Sequence, residues 1–140
     1  MRTWQYEELV VIVSPRHPWA ARASISRAEL AGSRLLAGER GTGTGALLRE
    51  FLAGLAYQPE IEAELGSTEA VKQAVAHDQG ISLVLAATVA DEVQSGQLRA
   101  ITLAPRALHK PLKAIYRPNP THGTQNAFLG LLPAAEKNRL

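Results

Sequence analysis

Leu65-Gly66-Ser67-Thr68-Glu69-Ala70-Val71-Lys72-Gln73-Ala74-Val75 joins a strand pattern to a helix pattern. Upstream, Ile61-Glu62-Ala63-Glu64-Leu65 alternates apolar and acidic residues, the period of a half-buried strand. Downstream, Val71, Ala74 and Val75 recur at helical spacing. Gly66-Ser67-Thr68 is then the turn between them, with Ser67 at the N-cap and Glu69 in the first helical turn, where an acid suits the macrodipole. Two readings fit this turn. Ser67 and Thr68 only cap the helix, or the converging N–H groups and hydroxyls also hold a small anion.

Working outward, the same alternation of element types runs along the whole chain. Leu9 to Val13 is a continuous apolar, largely β-branched run, a buried strand stopped by Ser14-Pro15-Arg16-His17-Pro18. Ile25-Ser26-Arg27-Ala28-Glu29-Leu30 is a capping box with Ile25 and Leu30 as its hydrophobic staple, and Gly32 ends that short helix. Arg34 to Ala37 reads as a short strand. Gly41-Thr42-Gly43-Thr44-Gly45 then opens a helix carrying Leu47, Leu48, Phe51, Leu52 and Leu55 on one face. After the organising strand and helix come a strand from Ile81 to Leu85, a short helix from Thr88 to Gln94 and a strand from Leu98 to Leu103. Ala104 to Lys110 reads as a linker, Leu112 to Arg117 as a strand broken by Pro118-Asn119-Pro120, and about Thr124 to Leu132 as a last helix ended by Pro133, with a frayed polar tail to Leu140. Strands alternating with helices specify an α/β fold, a mixed, mostly parallel sheet flanked by helices. Ligands on such sheets bind at the carboxyl ends of strands, and both glycine-hydroxyl turns fall at such ends.

Composition narrows the function classes. The 140 residues are 46% hydrophobic and 20% charged, ordinary for one globular domain with a real core. A net charge of +2 without a dense Lys/Arg stripe is no nucleic-acid footprint. Zero cysteines excludes disulfides, thiol nucleophiles and cysteine-bound zinc. No apolar run reaches the roughly 18 residues of a membrane span, and Leu9 to Val13 is too short for a signal-peptide core. A cytoplasmic location is expected.

Catalytic patterns are weak. Gly41-x-Gly43-x-x-Ala46 formally matches a dinucleotide fingerprint, with Glu60, Glu62 and Glu64 near the expected acid. However, Gly38-Glu39-Arg40 separate it from the strand end, and the acids alternate along a strand instead of ending one. No Walker A lysine follows, and no serine sits in a Gly-x-Ser-x-Gly elbow. His17, His77, His109 and His122 are scattered, so no metal site and no cofactor is expected. Trp4 and Trp19 read as packing residues. Arg40 is either a solvated loop cation or the partner of an anionic ligand.

Three segments in order, spanning nearly the whole chain, resemble the effector-binding domain of LysR-type transcriptional regulators. They are Glu8-Leu9-Val10-Val11-Ile12-Val13-Ser14-Pro15-Arg16-His17-Pro18-Trp19-Ala20, then Gly66-Ser67-Thr68-Glu69-Ala70-Val71-Lys72 with the later Gly80-Ile81-Ser82-Leu83-Val84, and Lys110-Pro111-Leu112-Lys113-Ala114-Ile115-Tyr116-Arg117 followed by a helix with Phe128-Leu129. The resemblance implies a type 2 periplasmic-binding-protein-like subdomain and a non-enzymatic, effector-sensing role. Residues 1–108 would be the second regulatory subdomain, and residues 109–140 a strand and helix returning to the first, the rest of which is absent. It also implies a small anionic effector, bound by Gly41, Thr42, Gly43 and Thr44 on one turn and Gly66, Ser67 and Thr68 on the other, with Arg40 beside them. DNA would be contacted only through an N-terminal domain that this chain lacks. A position that is often basic in the family is Gly45 here, which argues against a doubly charged effector. With its packing partner missing, the last helix would expose Phe128, Leu131 and Leu132, and a homo-oligomer is expected. The rival readings are a solute-binding module outside transcription and a dinucleotide-binding enzyme fragment.

Overall fold

Leu9 to Val13 are all buried, with 4% exposure at Val10 and none at the other four, because both faces of their strand are covered. The computed structural model describes residues 1–116 and 123–133. Its strands are β1 (Arg2–Val13), β2 (Ser24–Ser26), β3 (Arg34–Ala37), β4 (Glu60–Glu64), β5 (Ser82–Leu85), β6 (Arg99–Ala104) and β7 (Leu108–Ala114). Its helices are α1 (Arg27–Ala31), α2 (Thr44–Phe51), α3 (Thr68–Ala76), α4 (Ala90–Gln94) and α5 (Gly123–Leu131), and a single 3-10 turn over Ala86–Val89 leads into α4.

Two compact units divide the chain. The larger holds Glu8–Leu108, and the smaller holds Met1–Glu7 with His109 onward. In the larger unit the strand order is β2-β6-β1-β5. β1 runs antiparallel to β5 and to β6, with Val11 opposite both Leu83 and Ile101. β2 is parallel to β6, and β3 is parallel to β4. A parallel bridge between Leu35 and Ile81, with Leu36 N donating to Ile81 O at 2.8 Å, lays β3 beside the start of β5. The sheet is therefore mixed: α/β in composition, with antiparallel pairing around its central strand.

The two-residue period of β1 sorts the core into two layers. Leu9, Val11 and Val13 pack with Ile25, Leu30, Leu48 and Leu52, from the α1 and α2 side. Val10 and Ile12 pack with Val71, Val75, Val89 and Leu98, from the side of α3 and the turn into α4. β3 and β5 repeat the division, Leu35 and Leu83 to the first layer and Leu36 and Val84 to the second. The two polar residues buried with them are satisfied: Ser82 Oγ donates to Leu36 O at 2.6 Å, and Ser14 Oγ to Asp78 Oδ1 at 2.9 Å.

α1 forms as its sequence specifies. The Ser26 hydroxyl accepts from Glu29 N and the Glu29 carboxylate accepts from Ser26 N. The staple residues Ile25 and Leu30 are both fully buried. β4 departs from expectation. Its alternation reads as half-buried, yet Ile61 is 52% exposed. Among the described residues the strand pairs only with β3, and a bulge sets Leu35 opposite Ile61 but Leu36 opposite Ala63, so among the apolar residues of β4 only Ala63 reaches the core.

In the smaller unit β7 pairs with β1. β7 begins at Leu108, inside the stretch expected to be a linker, and ends at Ala114. α5 is anchored by Arg2, whose Nη2 donates to Leu132 O at 3.0 Å. Phe128 and Leu131 are exposed, as expected, while Leu132 is only half-exposed. Arg117, the Pro118–Pro120 break and the tail beyond Pro133 lie outside the described residues.

Candidate functional site

β3 and β4 are adjacent and parallel, so their carboxyl ends lie side by side, and each feeds a helix. β3 leads through residues 38–43 into α2, and β4 leads through residues 65–67 into α3. The backbone ladder continues past the strands into the turns: Leu65 N donates to Ala37 O at 2.9 Å and Gly66 N to Gly38 O at 3.2 Å. Gly41, Thr42, Gly43 and Thr44 thus stand on the turn next to the one that carries Gly66, Ser67 and Thr68.

Ser67 is the N-cap of α3, with φ −156° and ψ 157°, and its hydroxyl accepts from Ala70 N at 3.1 Å. Capping therefore uses the hydroxyl of Ser67 and leaves Thr68 as the first helical residue. At α2 the N-cap is Gly43, in the left-handed region, with no side-chain cap. Gly41, Gly43 and Gly66 take φ of 78°, 79° and 84°, backbone that β-carbon-bearing residues reach only under strain. Thr42 and Thr44 each have an interaction partner. Gly41, Thr42, Gly43, Gly66 and Thr68 are exposed, and Thr44 and Ser67 are half-buried, so the two turns face solvent.

Two residues that the sequence does not assign to the anion site shape this place. Gly38 is one. A Cβ there would lie 3.3 Å from the Ser67 carbonyl carbon and 3.4 Å from both Ser67 O and Thr68 N, a tight contact with backbone that glycine avoids. In the sequence it shows only as a glycine directly after a strand. Glu64 is the other. It binds the Arg40 guanidinium, Arg40 Nε donating to Oε1 at 2.8 Å and Oε2 at 2.7 Å. That hydrogen bond, reinforced by the charge of Glu64, raises the Arg40 pKa further. Glu60 pairs with Arg34 at the other end of the strands, at 3.5 Å. Two of the three candidate acids of the dinucleotide reading, Glu60 and Glu64, are thus committed to cross-strand ion pairs.

Gly45 supplies no charge, but Arg49 Nη1 lies 3.6 Å from where a Gly45 Cβ would stand, which brings a guanidinium along the first turn of α2. Away from the turns, Lys72 of α3 bridges Glu69 at 3.1 Å and Glu92 of α4 at 2.5 Å. The hydrogen bond to Glu92 raises the Lys72 pKa, and Lys72 in turn lowers that of Glu92. His77, at the C-cap of α3, places Nδ1 2.8 Å from Gln73 O. No group of His, Asp or Glu among the described residues is arranged to hold a metal ion, and no described helix is long and apolar enough to cross a membrane. Chemically, the paired turns offer backbone N–H groups and the positive ends of two helix dipoles on one solvent-facing edge, with one or two guanidinium groups beside them.

The chain is 33% identical over 113 residues to the HTH-type transcriptional regulator YeiE of Escherichia coli K12, covering 81% of this chain and 38% of that protein. It is 34% identical over 109 residues to the HTH-type transcriptional activator CmpR of Synechocystis, covering 78% and 36%. The chain thus spans under two fifths of the length of these relatives. Among solved structures, the regulatory domain of Synechocystis CcmR in complex with 2-PG superposes with a TM-score of 0.73 at 23% identity, over 94% of this chain and 64% of that one. The effector binding domain of QuiR in complex with shikimate gives a TM-score of 0.63 at 21% identity, over 84% and 57%. The LysR substrate binding domain family matches residues 2–136, and the chain belongs to it.

Proposed function

We propose that this chain is the effector-sensing part of a LysR-type transcriptional regulator and that it binds a small anion at the turns of residues 38–44 and 65–68. The observation that carries the proposal is the pair of helix-starting turns held side by side by the Gly66 N to Gly38 O hydrogen bond, at the carboxyl ends of two parallel strands. Relatives solved with 2-PG and with shikimate support a small-molecule ligand of this kind. In the whole regulator, the ligand biases a conformational equilibrium and does no chemistry: it favours whichever arrangement it binds more tightly. Residues 8–108 are assigned to the second regulatory subdomain, and Met1–Glu7 together with residues 109–140 to the returning segment, because those two stretches cluster together. The protein works in the cytoplasm and reaches DNA through a separate N-terminal domain. It self-associates, with Phe128 and Leu131, 61% and 81% exposed, as the available apolar residues. Light scattering at tens of micromolar reads this, and a clean monomer would oppose it.

The binding test is thermal. Melting temperature is followed against sodium sulfate, with sodium chloride at matched ionic strength alongside. Sulfate also stabilises proteins generally by exclusion from their surface, and that effect acts on every variant alike. The excess protection over chloride is expected to shrink in Thr42→Ala and Thr68→Ala and to persist in Ser26→Ala, whose cap is elsewhere. Equal protection in all four proteins would refute the site.

A further inference from the structure

Arg40 and Glu64 sit at matching places in the two turns. Arg40 is three residues before Gly43, the N-cap of α2, and Glu64 is three residues before Ser67, the N-cap of α3. Their ion pair therefore joins the two loops whose helix starts form the proposed site. The carboxylate offers both oxygens to one guanidinium nitrogen, at 2.8 and 2.7 Å. The Arg40 side chain is 86% exposed and that of Glu64 39%, so the pair is bathed in water on the Arg40 side. Exposed pairs of this type hold weakly and exchange readily. A planar guanidinium prefers partners with two oxygens in one plane, which a carboxylate or a tetrahedral oxyanion supplies and a halide does not.

We propose that Glu64 is an internal competitor for the effector: it occupies Arg40 in the unliganded protein, and a small oxyanion binds by taking its place on the guanidinium. This rests on the assignment of the two turns as the binding site and adds to it a gate on affinity and a ligand class, compact carboxylates and oxyanions able to present two oxygens. A negative side chain beside an anion site otherwise only repels; paired to Arg40, it fills the guanidinium in the free state and is released towards solvent on binding.

The test uses the 140-residue chain with sodium sulfate as probe, read as excess melting protection over chloride. The proteins are the wild type, Glu64→Gln, Arg40→Gln, the double variant and Glu60→Gln. Glu60→Gln removes an equal charge from the same strand, at the end away from the turns. The half-protecting sulfate concentration is expected to fall about three- to tenfold in Glu64→Gln, which converts to under about 1.4 kcal/mol. It should rise in Arg40→Gln, and the double variant should match Arg40→Gln. Glu60→Gln should match the wild type. If Glu64→Gln gains as much in the Arg40→Gln background, or if Glu60→Gln gains equally, simple charge removal accounts for the effect and the competitor role is wrong. Protection of the wild type with no gain in Glu64→Gln overturns the competitor while leaving the site intact. Excess protection that is equal in all five proteins and does not saturate is the general effect of sulfate alone, and it removes the site and the competitor together.

Discussion

At the scale of single residues, two carboxyl or hydroxyl contacts can be checked one atom at a time. The Ser67 hydroxyl satisfies Ala70 N at the start of α3, so Ser67→Ala is expected to cost about 1 kcal/mol in urea unfolding. Thr68→Ala should cost less, because Thr68 is already helical; the reverse order would move the cap by one residue. Glu29 makes a second test. Hydrogen bonds from the Arg22 guanidinium, one of them at 3.0 Å, and from Ser26 N hold its carboxyl at about 2, against an ordinary 4.5. Between those two values the unfolded chain carries the proton and the folded chain does not, so stability rises with pH across that window and is lost as pH falls through the lower value. Unfolding free energies from pH 6 down to 2 should therefore fall less steeply in Glu29→Gln than in the wild type, and parallel curves would show that Glu29 contributes nothing. Ser26, Glu29 and Ser67 were legible from sequence because a cap is a local contact, read three residues away. Glu64 as the partner of Arg40 was not, because that contact spans 24 residues and depends on β3 and β4 pairing in one register.

Elements were legible to the extent that their periods were undisturbed. β3 spans Arg34–Ala37 as its sequence indicates, and α3 starts where Ser67 says it should. β1 is longer than its apolar run, because Arg2 to Glu8 carries polar residues that lie on exposed or half-buried positions and break no rule of a strand. The start of β7 is hard to see in the sequence, since Lys110 and Pro111 demote a strand. β4 was legible as a strand but not as an exposed one, because the bulge opposite Leu35 and Leu36 is a property of the pair. The same pairing gives Gly38 its role. Gly38→Ala would push a Cβ against the Ser67–Thr68 backbone, which cannot rotate aside as a side chain does. A loss of about 1–3 kcal/mol is expected, together with loss of the excess sulfate protection. Gly32→Ala, whose nearest contact would be an ordinary 3.6 Å, is the comparison. Full sulfate protection in Gly38→Ala would mean that the spacing of the two turns does not matter.

For the molecule as a whole, the α/β class followed from alternation, while strand direction did not. Leu9 to Val13 is apolar on both faces, and such a run reads the same whether its neighbours run parallel or antiparallel. The structure sets β1 antiparallel to β5 and β6 and keeps parallel pairing for β2·β6 and β3·β4. The parallel β3·β4 pair is what brings two helix starts to one edge, and so it is the feature on which the functional account depends. On this reading one anion engages both turns at once. Amide chemical shifts of the isotopically labelled chain, followed while sodium sulfate is added against a chloride control, test it most directly. Saturable shifts are expected, concentrated in the backbone amides of residues 42–46 and 67–70 and all fitting one dissociation constant. Shifts confined to one turn, different constants for the two, or a diffuse linear response across the surface would contradict it.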